Sequence, residues 1–303
     1  MKKIVLTGAT GLIGKKIADL LIRRGDEVTI FTRSIDKAKK IIPGAADYVE
    51  WNPKSDNWHS ALEGKYAVVH LAGENVMAKR WDEQHKKNIF DSRVDTTRAL
   101  VKAIQNTSNK LKVFISASAV GYYGNSEEPV TEKSNAGNDF LAGVVNVWEE
   151  ETKKVDLLKV RRINIRIGIV LDKNEGALAR MITPFKYLIG GPLGSGKQWF
   201  PWIHIDDVIG IFLYAIDNEN VFGILNAVSP NPVRMSEFCK TLGSVMHRPS
   251  LFKVPAFVLK IIFGEAADVL LTGARVIPER TMKLGYKFIF EKREDALMNL
   301  LNN

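Results

Sequence analysis

The opening residues constrain what this chain can fold into more than any other stretch. Ile4-Val5-Leu6 is a short apolar run of strand type, Thr7-Gly8 breaks it, and Gly11 and Gly14 follow at three-residue steps. From Leu12 the period changes. Ile13, Ile17, Leu20 and Leu21 fall at helical spacing, with Lys15, Lys16, Arg23 and Arg24 available for solvent. Strand, glycine turn and helix form the arrangement of a phosphate-binding first crossover. Residues without Cβ let backbone N–H groups approach a pyrophosphate, and the helix N-terminus adds its positive dipole end. A turn that binds nothing rarely keeps three glycines at this spacing. A P-loop is excluded, because position 9 is Ala and position 16 is Lys where Gly and Ser or Thr are required. The later Gly194-Ser195-Gly196-Lys197 has no strand before it and reads as a loop.

The end of the second strand selects the cofactor. After Gly25-Asp26 a strand over 27–32 is expected, with Val28 and Ile30 as inward positions. Sites for NAD place Asp or Glu about 20 residues beyond the glycines, where it bonds the ribose 2′-OH. Here the chain has Thr32-Arg33-Ser34, with Lys37 one turn on. A guanidinium forks onto a 2′-phosphate and a serine hydroxyl adds to it, whereas a carboxylate repels it. Arg33, Ser34 and Lys37 therefore predict NADP(H) over NAD(H). The bland alternative is a solvated arginine at a strand end.

Further strands are expected near 46–51, 66–71, 112–116, 159–167 and 223–228, and helices over 81–106 and 139–154. Asp206 or Asp207 is positioned to N-cap a helix running to about Ile216, and Ser236 to cap the next, with Glu237 in its first turn. The tail reads as short helices separated by Pro255, Gly264, Gly273 and Pro278, ending with Ala296, Leu297, Leu300 and Leu301 on one face. Alternating strands and helices without an internal repeat make this an α/β chain with a doubly wound parallel sheet and a smaller, mostly helical C-terminal cap. Residues 1–170 plus 199–228 would form the dinucleotide-binding part, and 171–198 plus 229–303 the substrate side. Small residues after the fourth strand, Leu71-Ala72-Gly73-Glu74, leave room for a ligand across the carboxyl edge of the sheet. His70, in an otherwise apolar run, reads as a core histidine.

Composition removes several function classes. No run approaches the about 18 apolar residues of a membrane span, so no membrane partner is expected. The chain enters a strand directly, without a signal-peptide pattern, and its one cysteine, Cys239, suits a reducing compartment. A cytoplasmic location is the expectation. The net charge of +9 is spread along the chain without a basic tail, which argues for attraction of an anionic cofactor rather than nucleic-acid binding.

The chain resembles the extended short-chain dehydrogenase/reductase superfamily, of the NAD(P)-dependent epimerase/dehydratase type. Thr7 to Gly14 is similar to its cofactor loop, and Ile203-His204-Ile205-Asp206-Asp207-Val208 to its hydrophobic-His-hydrophobic-Asp-Asp signature. An atypical epimerase-family branch, also named cell-division-inhibitor-like, is resembled more narrowly. The segments that carry this are His70 to Glu74, Lys79-Arg80-Trp81, Asp91-Ser92-Arg93, Ser116 to Gly124, Gly190 to Asp207, and the tail with Gly264-Glu265, Pro278 and Gly285. The resemblance implies a Rossmann domain holding NADP(H), a smaller domain and a cleft between them. It adds Thr10, Leu12, Ile13, Leu71, Ala72, Gly73, Glu74, Arg93 and Ser116 to the glycines as cofactor contacts, and no metal. It also implies a monomer or a homodimer, dimers of the superfamily pairing through the helices at 81–106 and 139–154.

One departure bears on chemistry. The superfamily's reaction runs on a Tyr-x-x-x-Lys pair, in which the lysine lowers the tyrosine pKa and the tyrosine moves the proton. None of the seven tyrosines here has a lysine four residues on. Ser118 matches the superfamily's active-site serine, and that hydroxyl with Tyr122 or Tyr123 is the candidate group for polarising a carbonyl. Glu74 is a candidate base or a loop cap. His204 and Asp206 read as tethers between domains, and Trp199 and Trp202 as core or cleft wall. Two functions stay open: an NADP(H)-dependent oxidoreductase or epimerase-like enzyme acting on an unknown small molecule, of carbonyl or nucleotide-sugar type, and a non-catalytic NADP(H)-binding redox sensor.

Overall fold

A computed structural model describes residues 1–302. The strands are β1 (Lys3–Thr7), β2 (Glu27–Thr32), β3 (Asp47–Glu50), β4 (Ala67–His70), β5 (Val113–Ala119) and β6 (Ser126–Val130). They continue as β7 (Arg161–Ile167), β8 (Ile169–Leu171), β9 (Trp202–His204), β10 (Gly223–Ala227) and β11 (Ala274–Val276). The helices are α1 (Leu12–Arg23), α2 (Ile35–Ile41), α3 (Glu83–Gln105), α4 (Phe140–Lys153), α5 (Gly176–Lys186) and α6 (Ile205–Asp217). After them come α7 (Met235–Met246), α8 (Ala256–Phe263), α9 (Asp268–Leu271), α10 (Glu279–Lys283) and α11 (Arg293–Asn302).

Seven strands form one parallel sheet in the order β3-β2-β1-β4-β5-β7-β10, and β6–β11 and β8–β9 are separate parallel pairs. The order reverses between β1 and β4, which opens the carboxyl edge there. Both faces of the sheet are covered, so Ile4 to Thr7 of β1 and all of β4 are buried, while β7 alternates Ile163, Ile165 and Ile167 with Arg162, Asn164 and Arg166. Ile4, Leu6, Val69, Ile115, Ile163 and Ile165 pack to one side, in a core that continues into α6, α7 and α11. Val5, Val68 and Phe114 pack to the other, against α3 and the tilted and edge-on rings of Phe31, Trp51 and Trp58.

Two buried carboxylates fasten the last quarter of the chain to this sheet. Asp207 accepts the backbone N–H groups of Ile289 at 2.8 Å and Phe290 at 3.0 Å, with the Tyr286 hydroxyl 3.2 Å away. Glu132 accepts from the backbone N–H groups of Asn226 in β10 and of Arg280 and Thr281 in α10. Hydrogen bonds to a charged acceptor contribute about 1.5–3 kcal/mol each.

Several local expectations change. Leu20, expected on the inward face of α1, is 41% exposed, and Ala18 lies buried beside Ile17 and Leu21 instead. The cap of α6 is His204, whose Nδ1 accepts from Asp206 N, because Asp207 is turned inward to the tail. Tethering therefore rests on Asp207 rather than Asp206. The N-cap of α7 is Arg234, whose backbone N–H donates to Glu237, rather than Ser236. Gly273 leads into a strand, β11, and not a helix. Trp202 is core and Trp199 is half-buried with Arg234 stacked on it at 3.8 Å.

Candidate functional site

Three glycines stand where α1 leaves β1, and packing explains two of them. Gly8 has φ +65°, and a Cβ there would lie 2.6 Å from the Leu71 carbonyl carbon, where β4 exits. Gly14 is buried in the first turn of α1, and its Cβ would lie 2.4 Å from the Gly8 oxygen. Gly11 differs. Its φ of −82° is open to any residue, and the nearest atom to an added Cβ is 3.4 Å away. Neither backbone nor packing demands a glycine at 11. It is the N-cap of α1, exposed, with no side-chain cap and no acidic residue in the first turn, so that helix end is bare. Thr10, Leu12 and Ile13 flank it, half-buried. These are the features of a cradle for an anionic group, which fits a pyrophosphate.

The strand exits beside this cradle are held by a buried polar chain. Thr7 Oγ1 accepts the N–H groups of Leu71 and Ala72, both at 3.2 Å, and lies 2.7 Å from His70 Nδ1. With Nδ1 as the acceptor, His70 carries its proton on Nε2 and donates to Thr96 Oγ1, which passes its own proton to Ser92 O. Burial, and secondarily Arg93, pushes the His70 pKa down to about 3. The Arg93 guanidinium lies under Gly73, whose Cβ would sit 3.3 Å from its Cζ, and donates to the Glu74 and Ile89 carbonyl oxygens. Burial pulls its pKa down to about 10. Ser92 Oγ accepts from Glu74 N, so α3 supports the whole 71–74 segment from below.

On the other flank, Thr7 pairs with Phe31, which places Arg33 two residues further on at the same edge. Ser34 caps α2 by accepting from Lys37 N. Arg33 and Lys37 are exposed. Arg33 has no hydrogen-bond or ion-pair partner among the described residues.

At the exit of β5 the structure brings together residues that sequence reasoning did not connect. Ser118, Arg166 and Asn226 are in register across β5, β7 and β10. Arg166 holds Glu149 of α4 bidentately, Nε to Oε1 at 2.8 Å and Nη2 to Oε2 at 2.7 Å, and donates to the Tyr123 hydroxyl at 2.9 Å. Tyr123 donates to Asn226 Oδ1 and Ser118 donates to Glu149 Oε1 at 2.6 Å. All five residues are buried. The Tyr122 ring lies flat on the guanidinium, 3.4 Å from Cζ to centroid. Against the pull of burial, the Glu149 bonds raise the Arg166 pKa, and burial pushes the Tyr123 hydroxyl up to about 12. The Ser118 and Tyr123 protons are thus committed within the protein, while the half-buried Tyr122 hydroxyl has no hydrogen-bond partner among the described residues. Ser116 donates to the carbonyl of Ala117 in its own strand. The missed signal is Arg166, a charge at an inward strand position that demanded a buried carboxylate.

Among the described residues no His, Cys, Asp and Glu cluster is placed to hold a metal, and no helix is long and apolar enough to cross a membrane. Residues 4–141 match the model of the NAD dependent epimerase/dehydratase family, and residues 254–300 match a domain of unknown function, DUF1731. The epimerase family protein SDR39U1 homolog, chloroplastic, of Arabidopsis thaliana is 42% identical over 301 residues, spanning 98% of this chain and 86% of that protein. A crystal structure of human epimerase family protein SDR39U1 with NADPH superposes with a TM-score of 0.89 at 34% identity, covering 99% of each chain. UDP-glucuronic acid 4-epimerase from Bacillus cereus, in complex with UDP-glucuronic acid and NAD, is alike in fold alone, with a TM-score of 0.80 at 17% identity over 99% of this chain and 98% of that one.

Two predictions follow from packing and burial. Gly14→Ala is expected to cost about 2 kcal/mol or more through the clash with Gly8, and Gly11→Ala at most about 1 kcal/mol through the cap. Equal losses in urea unfolding would contradict the distinction. His70 stays neutral in the fold with its pKa near 3, but in the unfolded chain it titrates near 6.5. As pH falls the unfolded state binds the proton first, so stability is lost from about pH 6.5 downward, by about 2 kcal/mol between pH 7.5 and pH 5. His204, also shifted down mainly by burial, adds to the slope. His70→Gln should flatten it relative to the parent chain, and equal pH slopes would refute the assignment.

Proposed function

The chain belongs to the NAD-dependent epimerase/dehydratase family, within the extended short-chain dehydrogenase/reductase superfamily, and we propose that it is an NADP(H)-dependent oxidoreductase or epimerase-like enzyme. The observation that carries this reading is Gly11. A glycine that the fold does not need stands at a bare helix N-terminus, at the same sheet edge as an unpaired Arg33. The solved relative with NADPH supports the same cofactor here.

Gly8, Thr10, Gly11, Leu12, Ile13 and Gly14 would cradle the pyrophosphate on the N–H groups of α1. Arg33, Ser34 and Lys37 would take the 2′-phosphate, Arg33 through its free fork. Leu71, Ala72, Gly73 and Glu74, braced by Arg93, with Ser116, would line the path toward the nicotinamide. NADP(H) held by these residues would supply hydride chemistry at the nicotinamide. The chain's own part is the proton: Tyr122, with its hydroxyl free, would donate to or accept from the substrate oxygen, and Ser118 would orient that oxygen only on turning its hydroxyl from Glu149 toward it. The substrate, of carbonyl or nucleotide-sugar type, would lie between residues 1–170 plus 199–228 and residues 171–198 plus 229–303. A second reading, a non-catalytic NADP(H)-binding redox sensor, is favoured by one observation. The Ser118 proton is already spent on Glu149 and no Tyr-x-x-x-Lys pair exists to replace it.

Cofactor titrations test the cofactor claim. Arg33→Ala is expected to weaken NADPH about 10- to 100-fold, the equivalent of one or two charged hydrogen bonds, and to leave NADH within about twofold. Gly11→Ala should fold and weaken both cofactors at least about tenfold. NADH binding as tight as NADPH in the parent chain would overturn the choice of cofactor. Oxidation of bound NADPH across carbonyl and nucleotide-sugar panels separates the two readings. Turnover lost in Tyr122→Phe supports the enzyme, and no turnover with any compound supports the sensor.

A further inference from the structure

Eight of the seventeen large apolar side chains exposed among the described residues fall within two short segments, 187–189 and 251–262. The segments are neighbours in space. Phe252 N donates to Gly190 O at 3.2 Å, Gly194 N donates to Val254 O at 2.8 Å, and a Cβ on Gly191 would touch the Phe252 backbone. Leu188 and Ile189 lie on one side of this seam, Leu251 and Phe252 on the other, and α8 extends the patch with Phe257 and Ile261 one helical turn apart. Their exposures run from 51% to 76%. Monomeric proteins rarely leave such a contiguous apolar area in water without a use for it.

The backbone adds an independent sign. Leu188 has φ +64°, at the turn where α5 ends, a position that favours glycine. At this strained turn the leucine is 51% exposed rather than buried in the core.

The charge carried by the two segments that form the patch has one sign. Residues 176–205 contain Arg180, Lys186 and Lys197 and no carboxylate, and residues 238–264 contain Lys240, Arg248, Lys253 and Lys260 and no carboxylate. Glu265, next along the chain, is already paired with Lys86. Lys186, Lys253 and Lys260 are exposed and have no ion-pair partner among the described residues. A symmetric dimer through this face would set these lysines against their own copies, which argues against a second copy as the occupant. Residues 251–262 also carry no uncharged polar side chain, only apolar groups and two lysines. A protein partner is normally gripped by about one hydrogen bond per 100–200 Å². An apolar tip ringed by lysines, with the Tyr187 hydroxyl as its one uncharged polar side chain, matches a lipid interface instead.

We infer that the surface formed by residues 186–189 and 251–262 docks on anionic phospholipid membranes, with Leu188, Phe252, Phe257 and Ile261 entering the headgroup boundary and Lys186, Lys253 and Lys260 engaging lipid phosphates. The contact is peripheral. It amends the expectation that no membrane partner exists, which addressed spanning segments, and it is independent of the proposed enzyme reading.

Sedimentation of the full chain with vesicles tests it, using phosphatidylcholine alone or with one-third phosphatidylglycerol. Partition is expected to be at least about tenfold stronger on the anionic vesicles and to fall steeply with salt. Phe257→Ser combined with Ile261→Ser should lower it about 100-fold, since each removes a group worth about tenfold on burial. Lys253→Glu with Lys260→Glu should abolish the preference for phosphatidylglycerol. Leu188→Gly should weaken partition while Tm stays the same or rises, because glycine accepts that φ, so loss of binding is separated from loss of fold. No partition at low salt, or partition unchanged by these variants, overturns the inference. So does a solution dimer that Phe257→Ser dissolves, or binding to polyglutamate without binding to vesicles.

Discussion

The contact on which this architecture hangs is between two backbones. Where β1 and β4 leave the sheet, Gly8 passes so close to Leu71 that no side chain fits between them. Thr7, one residue earlier, bonds the N–H groups of Leu71 and Ala72. That closeness fixes the angle at which α1 departs, and Gly14 lets the helix settle back onto the same loop. The open N-terminus of α1, the free Arg33 and the supported 71–74 segment all inherit their positions from it. His70, Thr96, Ser92 and Arg93 make the arrangement rigid from beneath, so α3 sets the position of the 71–74 segment.

The second organising element is the buried Arg166–Glu149 pair. Desolvating two charges costs several kcal/mol per ion, and only close geometry with every donor occupied offsets it. Here the guanidinium spends its donors on Glu149 and Tyr123, and the carboxylate also accepts from Ser118. Removing one partner would leave a buried charge alone, at about 3–5 kcal/mol. Such a network adds little net stability, but it orders the turn after β5 and lays the Tyr122 ring across a fixed cation.

Much of this was legible in the residues, and for identifiable reasons. The strand–glycine–helix opening and the central strands are local patterns, carried by runs such as Ile4-Val5-Leu6 and by the change of period at Leu12. The family resemblance, resting on motifs such as Ile203 to Val208, holds along the whole chain. What was not legible depends on long-range partners. β6 and β11 are 148 residues apart at their first pairing, Ser126 with Ala274, and neither has the alternation of a strand. His204 displaced two aspartates as the cap of α6 because Asp207 is drawn to backbone groups more than 80 residues away. Arg166 sat in plain view as one of three arginines in β7, yet its meaning required Glu149, 17 residues away on a different element.

The two carboxylate latches bear on how the chain is made. Asp207 and Glu132 are acceptors set well before the tail, yet most of their donors lie at positions 280–290. A nascent chain leaving the ribosome can align the seven central strands once β10 has emerged. Its two carboxylates would still lack the backbone donors at 280–290 and would face water in their place. The sheet therefore reaches its final state only when synthesis is almost finished. A chain that stops short of the last helices carries the fault in the middle of the molecule and not at its frayed end.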